Sequence, residues 1–128
     1  MNTPDRNTVG WFEIYVQDMA RARHFYEGVF GRELQPLGPP EVGMWSFASA
    51  LGQYGCGGAL VSHPTMPSGG NSTVVYFFCA DCAIEEARVP TFGGTIVRPK
   101  MSIGPFGHVT LARDPDGNLI GLHTPLMP

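Results

Sequence analysis

A chain of 128 residues, 43% of them apolar and 11% aromatic, can form one folded domain or two half-modules that share a core. The net charge of −3 and eight scattered Lys and Arg residues argue against a nucleic-acid partner, because phosphate binding needs clustered basic side chains. No apolar run approaches the roughly 20 residues that span a bilayer, and the polar N-terminus lacks the apolar core of a signal peptide. We therefore predict a cytoplasmic protein with no membrane partner.

The stretch over residues 9–31 has the pattern of a strand followed by a helix. Side chains alternate between two sets over residues 9–16, so that Phe12, Ile14 and Val16 share one face of the predicted strand. The aliphatic face should contact the helix that follows. Asp18 is placed to cap that helix, and Gly31 is placed to end it in the left-handed conformation. The opposite face of the strand carries Trp11, Glu13 and Tyr15.

The same order of features returns over residues 72–94, which indicates a duplicated unit. Asp81 and Gly94 each lie 63 residues after Asp18 and Gly31, so the two caps keep their register. The turn-rich segment 64–71 separates the copies and is predicted to be a linker. Three short strands should follow each helix, at residues 33–37, 43–48 and 58–62, and again at 95–99, 108–114 and 118–124.

These patterns predict an α+β fold made of two βαβββ modules with mostly antiparallel sheets. The modules should cover about residues 9–63 and 72–124, within a single domain over 1–128. One feature conflicts with the pattern, because Pro90 falls inside the second predicted helix, which should run from the cap at Asp81 to about Phe92. A proline in a helix interior costs about 3 kcal/mol. We therefore predict that this helix kinks or ends early at Pro90.

Several motifs in these modules are together typical of a known superfamily. They are VQDM at residues 16–19, RHFYEGVFG at 23–31 and the closing DPDGNLIGLH at 114–123. On these motifs the chain resembles the vicinal oxygen chelate superfamily, which includes glyoxalase I, bleomycin-resistance proteins, fosfomycin-resistance transferases and extradiol dioxygenases. More narrowly, it resembles the uncharacterised glyoxalase-related group. The resemblance implies that the two sheets form a cupped binding site and that the protein is a homodimer.

Metal-dependent members of that superfamily bind a divalent ion through His, Gln or Glu side chains on four strands of the cup. Three of the matching positions are occupied here by Trp11, Val74 and Gly121, and the fourth falls within residues 59–61, which offer no ligand. Such side chains cannot coordinate a divalent metal. We therefore predict no cofactor and no metal at the usual positions.

Two functional hypotheses remain open. In the first, the protein binds a small, partly aromatic or apolar molecule and sequesters it, as bleomycin-resistance proteins do. Tyr15 and five further aromatic side chains are the candidate ligand-binding residues: Trp11, Trp45, Tyr76, Phe78 and Phe106.

In the second hypothesis, the protein is an enzyme of the lyase, isomerase or dioxygenase type. Desolvation between two aromatic side chains would raise the pKa of Glu13 and make it a candidate general base, with His123 as a tentative partner on a neighbouring strand. Alternatively, Glu13 and His123 could hold a divalent metal at displaced positions together with His63 and His108.

The three cysteines do not form a disulfide framework, since their number is odd. Cys79 and Cys82 have the CxxC spacing of redox motifs and lie at a strand-to-helix junction. However, Cys79 occupies the helix-facing position that corresponds to Val16, where a small apolar side chain is expected. We predict that these cysteines are structural.

Overall fold

The computed structural model describes residues 5–50 and 52–126. Two α-helices and eight strands lie within those residues, in the predicted βαβββ order taken twice. The first module contains β1 (Trp11–Tyr15), α1 (Met19–Phe30), β2 (Gln35–Pro36), β3 (Met44–Phe47) and β4 (Gly57–Val61). The second contains β5 (Val75–Phe78), α2 (Cys82–Thr91), β6 (Thr95–Ser102), β7 (His108–Arg113) and β8 (Leu119–Thr124).

Each module forms its own four-stranded sheet, in the orders β1-β4-β3-β2 and β5-β8-β7-β6. The pairs β1–β4 and β5–β8 are parallel, and the other neighbouring strands are antiparallel. The predicted α+β fold with mostly antiparallel sheets is therefore confirmed. Neither helix in the described part of the chain has the length and apolarity that crossing a bilayer requires.

The predicted N-terminal helix caps are present in both modules. The predicted C-terminal cap at Gly94 is wrong, because α2 ends at Thr91 with Phe92 as its C-cap. The Asp18 carboxylate accepts a hydrogen bond from the Arg21 backbone N–H at 3.1 Å, and the Asp81 carboxylate accepts one from the Ala83 N–H at 3.0 Å. Gly31 ends α1 with a φ of 66°, a left-handed conformation that favours glycine. The caps fix where each helix begins, directly after β1 and β5.

Pro90 does not end α2 before its own position, because the helix continues to Thr91. Only one helical residue follows the proline, so a kink here would affect nothing beyond the last turn. The backbone N–H of Phe92 still donates to the Arg88 carbonyl at 3.1 Å, and that of Gly94 donates to the Val89 carbonyl at 2.9 Å. These bonds close the end of the helix despite the proline.

A cluster of aromatic side chains joins the two modules in one core on the helix side of the sheets. Phe77 of β5 has its ring centroid 4.5 Å from that of Phe30 and 5.9 Å from those of Tyr26 and Phe12. All three partners belong to the first module. Because strand side chains alternate, the remaining side chains of β1 and β5 lie on the opposite side of the sheets, which we call the open face.

The buried carboxylate of Asp114 connects the modules a second time. One of its oxygens accepts hydrogen bonds from the Tyr26 hydroxyl at 2.8 Å and from the Asn118 side-chain amide at 2.9 Å. The other accepts the backbone N–H groups of Asp116 and Asn118, both at 2.9 Å. The Asn118 amide also donates to the Tyr15 carbonyl at the end of β1, at 3.0 Å. Burial raises the pKa of Asp114, and these donors partly oppose that rise.

The linker, residues 64–71, is held against the turn at residues 114–118, which joins β7 to β8. The Asp116 carboxylate accepts hydrogen bonds from the Arg21 guanidinium at 2.6 Å and from the Gln17 backbone N–H at 3.0 Å. The Gln17 side chain in turn donates to the Ser68 hydroxyl at 2.9 Å, and the Gly69 N–H donates to the Asn118 side-chain carbonyl at 2.7 Å. These contacts fix the linker beside β1 and the start of β8.

Replacing Tyr26 with phenylalanine should destabilise the fold. The change removes one donor from a buried carboxylate without removing the aromatic ring, so we expect a loss of about 1–2 kcal/mol in the free energy of unfolding. Urea denaturation followed by circular dichroism measures it. Tyr54→Phe is the matched control, because Tyr54 is 76% exposed and should tolerate the change. A Tyr26→Phe protein as stable as the control would contradict the role of this hydrogen bond.

The same hydroxyl should make the fold sensitive to alkaline pH. Burial, with the nearby charge of Asp114, raises the pKa of Tyr26 well above the ordinary value of 10.0. The unfolded chain therefore loses this proton at a lower pH than the folded chain, and stability falls as the pH rises above about 10. We expect a shallower decline in Tyr26→Phe than in wild type when unfolding is measured from pH 9 to pH 11. If stability declines equally with pH in wild type and in Tyr26→Phe, the alkaline sensitivity does not come from the Tyr26 hydroxyl.

Candidate functional site

Three side chains of β1 form a hydrogen-bonded group on the open face, as their alternation predicts. The indole N–H of Trp11 donates to one oxygen of Glu13 at 3.3 Å, and the Tyr15 hydroxyl donates to the other at 2.8 Å. The hydrogen bond to Glu13, together with some burial and the Glu13 charge, raises the pKa of Tyr15. The Glu13 carboxylate is therefore held in position between two aromatic donors.

Glu13 is exposed, so the desolvation expected of a buried carboxylate is absent. It forms no ion pair with any Lys, Arg or His in the described ranges. A carboxylate has about four acceptor positions, and the two intramolecular hydrogen bonds occupy only two of them. The remaining acceptor capacity is available to a bound molecule.

A half-open cleft of about 400 Å³ lies beside this group, between β1, the linker and the start of β8. Glu13 is the one charged residue among the described residues that line it. Neutral polar side chains form much of the rest of the wall: Tyr15, Asn71, Ser72, Thr73 and Asn118. Asn71 is fixed in turn by two hydrogen bonds to the backbone of Leu119, at 3.0 and 3.2 Å. Of these residues Tyr15 was predicted as a site residue, whereas Asn71, Ser72, Thr73 and Asn118 were not.

The second module carries an aromatic group on the open face. Tyr76 and Phe78 of β5 are 50% and 53% exposed, and the ring of Tyr54 lies 5.6 Å from that of Phe78. Tyr54 comes from the loop between β3 and β4 of the first module, and sequence reasoning missed it. The signal for it was a single aromatic residue in the glycine-rich segment GQYGCGG. Phe106, in the turn before β7, is also largely exposed.

Aromatic rings lie near two of the positions that the superfamily resemblance assigns to metal ligands. The ring of Tyr76 lies against Gly121, so closely that a Cβ atom at residue 121 would overlap it. On β1, the Trp11 ring lies 3.3 Å from where a Cβ of Gly57 would be. Val74 and residues 59–61 complete the set with side chains that cannot coordinate a metal. The residues at these four positions do not fit a divalent metal site.

The candidate displaced ligands are engaged in separate contacts. The His123 Nε2 lies 2.8 Å from the Phe106 carbonyl, and since a carbonyl only accepts, this nitrogen carries the proton. His63 contacts Thr65 through Nδ1, and His108 begins β7. Over residues 5–50 and 52–126, no three His, Cys, Asp or Glu side chains are grouped closely enough to hold a metal ion.

Glu13 and His123 are not paired in the structure. Their strands belong to different sheets, because β1 pairs with β4 whereas β8 pairs with β5 and β7. No hydrogen bond joins the two side chains, and each has the other partners given above. The two strands are therefore not paired with each other, although β1 lies near the start of β8, and the expected His–carboxylate pair is not formed.

Trp45 does not join the open-face aromatic residues, contrary to the expectation that it lines the same cavity. It pairs with Leu60 in the register of β3 and β4, and Leu60 is a core residue on the helix side. The guanidinium of Arg23 in α1 lies 3.5 Å from the Trp45 ring centroid. This cation–π contact holds the indole against α1.

Cys79 and Cys82 are both buried and both free thiols. Burial raises the pKa of the Cys79 thiol, and the nearby Glu85 carboxylate adds to the effect. A thiol with a raised pKa forms little of the nucleophilic thiolate at neutral pH. This environment agrees with the predicted structural role.

Comparison with known proteins is consistent with this architecture. Two proteins of Streptomyces sp. CB03234 are similar over most of their length. A glyoxalase/bleomycin resistance protein is 30% identical, with a TM-score of 0.64 over 89% of this chain and 97% of that one. The antibiotic binding protein TnmS3 is 29% identical, with a TM-score of 0.67 over 97% of this chain and 100% of that one.

A glyoxalase-related enzyme from Fulvimarina pelagi is similar in fold alone, at 17% identity, with a TM-score of 0.71 over 92% of this chain and 88% of that one. No curated protein matches the chain. The family model of the glyoxalase/bleomycin resistance protein/dioxygenase superfamily matches residues 8–122, which include both modules. The chain belongs to this superfamily.

Proposed function

We propose that this protein binds a small, partly aromatic molecule on its open face and sequesters it without making or breaking a bond. The observation that carries the proposal is the replacement of metal ligands by aromatic rings. The superfamily resemblance assigns Trp11 to the first ligand position, and the Tyr76 ring fills the space beside Gly121. The positions that serve metal chemistry in other members would then serve aromatic contact in this one.

The exposure of these rings supports the proposal. Trp11, Tyr54, Tyr76 and Phe78 are each between 45% and 76% exposed, although aromatic side chains gain most from burial. Exposed apolar groups of this kind are typical of binding sites. A planar ligand stacked on such a ring would gain both apolar burial and offset or edge-to-face ring contacts.

The named relatives also support a binding role. TnmS3 is described as an antibiotic binding protein, and its similarity to this chain extends over the whole of its own length. The likeness favours the same general activity, the capture of a small organic molecule.

The enzymatic alternative has less support. A general base at Glu13 was expected to be desolvated, whereas Glu13 is exposed and both of its oxygens already accept hydrogen bonds. A lyase, isomerase or dioxygenase with displaced metal ligands would need several donors close together. Within the described residues, His63 and His123 instead contact Thr65 and the Phe106 carbonyl.

A planar probe should perturb one of the two tryptophans and not the other. The probe is 1-naphthylmethanol, and the measurement is the ¹⁵N–¹H correlation spectrum of the two indole N–H groups. The Trp11 signal should shift and saturate, because its ring lies on the open face. The Trp45 signal should stay in place, because its ring packs on Arg23 at the helix side. Trp45→Phe assigns the two signals.

Calorimetry with the same probe measures the contribution of the Trp11 ring to the binding affinity. We expect Trp11→Ala to weaken binding by roughly 10-fold or more, since stacking on an aromatic side chain contributes about 1–3 kcal/mol. Trp45→Phe should bind as wild type does. No saturable binding, or equal affinities for wild type and Trp11→Ala, would overturn the proposed function.

A homodimer and a cytoplasmic location form part of the same proposal. The resemblance to the superfamily implies a dimer, and the low charged fraction of 15% with several exposed aromatic side chains supports one. The second copy would provide a further wall for the site on the open face.

Multi-angle light scattering measures this directly. We expect a mass twice the 13.8 kDa of one chain at micromolar concentration. Phe78→Lys, which places a charge on the open face, should lower the measured mass, whereas Val97→Lys, at a similarly exposed residue of β6, should not. A wild-type protein that elutes at the mass of one chain would contradict the dimer.

A further inference from the structure

We propose that the molecule bound on the open face carries a protonated amine, and that the Glu13 carboxylate binds this group. The inference rests on the proposed function and specifies its ligand. The ligand would be an aromatic amine-bearing cation with its ring against Trp11 or the neighbouring aromatic side chains and its ammonium group at the mouth of the cleft.

The fixed position of the carboxylate is the first support. Long acidic side chains on a protein surface usually lose conformational freedom when a ligand binds them, and that loss weakens binding. Here the hydrogen bonds from Trp11 and Tyr15 already hold both oxygens of Glu13 in place. The carboxylate is preorganised, and about two of its acceptor positions remain for a donor from the ligand.

The absence of an internal counter-charge is the second support. In the described ranges, four other carboxylates form ion pairs: Asp5 with Arg6, Asp116 with Arg21, Glu27 with Arg23 and Asp81 with Lys100. Glu13 forms none, as is also true of several other described carboxylates, but it is the one described carboxylate that lines the cleft. An ammonium group would supply the missing positive charge and three N–H donors.

The composition of the cleft gives the third support. The described lining contains amides, hydroxyls and apolar side chains, and Glu13 is its one charged residue. A ligand with a carboxylate or phosphate would meet this negative charge with no Lys or Arg in that lining to compensate it. The cleft thus selects for positive charge and against negative charge.

Three probes that share one ring system separate the charge from the aromatic contact. They are 1-naphthylmethylamine, a cation at pH 7, the neutral 1-naphthylmethanol and the anionic 1-naphthoate, each titrated by calorimetry at low ionic strength. For wild type we expect the amine to bind about 5- to 10-fold more tightly than the alcohol, and the naphthoate most weakly. Added salt should reduce the preference for the amine.

Glu13→Gln tests the residue, because glutamine keeps a hydrogen-bonding side chain of the same length and removes the charge. We expect this variant to lose the preference, so that it binds the amine and the alcohol equally. Glu41→Gln is the matched control, since Glu41 is an exposed carboxylate that does not line the cleft, and it should keep the wild-type preference.

The outcomes distinguish this inference from the proposed function. If wild type binds the amine and the alcohol equally, and Trp11→Ala weakens both, the amine inference is overturned while aromatic binding stands. If Glu13→Gln keeps the preference for the amine, the ammonium group binds elsewhere and the inference is also overturned. If wild type binds none of the three probes, the proposed function itself fails.

Discussion

The buried Asp114 carboxylate is the constraint on which the arrangement of the two modules depends. An ionised group in a core is costly unless donors surround it, and here the Tyr26 hydroxyl, the Asn118 amide and two backbone N–H groups do so. These donors come from both modules, so they can converge only if α1 lies against the closing turn. The Asn118 amide extends the network to the Tyr15 carbonyl and thereby fixes β1 next to the start of β8. The cleft beside Glu13 exists because of this placement.

The aromatic side chains on the two sides of the sheets differ in burial and in role. On the helix side, aromatic rings such as Phe77 join the modules in a shared core. On the open face, aromatic rings remain exposed and lie next to glycines: Trp11 beside Gly57 and Tyr76 beside Gly121. A glycine on the neighbouring strand leaves room for a ring to lie against the sheet. The absence of a side chain at residue 121 and the presence of the Tyr76 ring there are therefore one structural feature.

Glu13 shows how much of the site was open to prediction from sequence. Alternation along one strand places Trp11, Glu13 and Tyr15 on the same face, two residues apart, and the observed hydrogen bonds follow from that spacing. The predicted desolvation of Glu13 and its pairing with His123 depended on the distance between two sheets. Strand parity carries no information about that distance, and both expectations differ from the structure.

The sequence by itself determined the elements and their order. The caps at Asp18 and Asp81 and the alternation of the strands are local effects, which act between residues close in the chain. The tertiary structure decided which faces meet. It placed Trp45 on the helix side, because the register of β3 puts it opposite the core residue Leu60, and it brought Tyr54 across to Phe78. It also made the walls of the cleft from a linker and a turn that are distant in sequence. These contacts depend on how the modules pack, which no local pattern encodes.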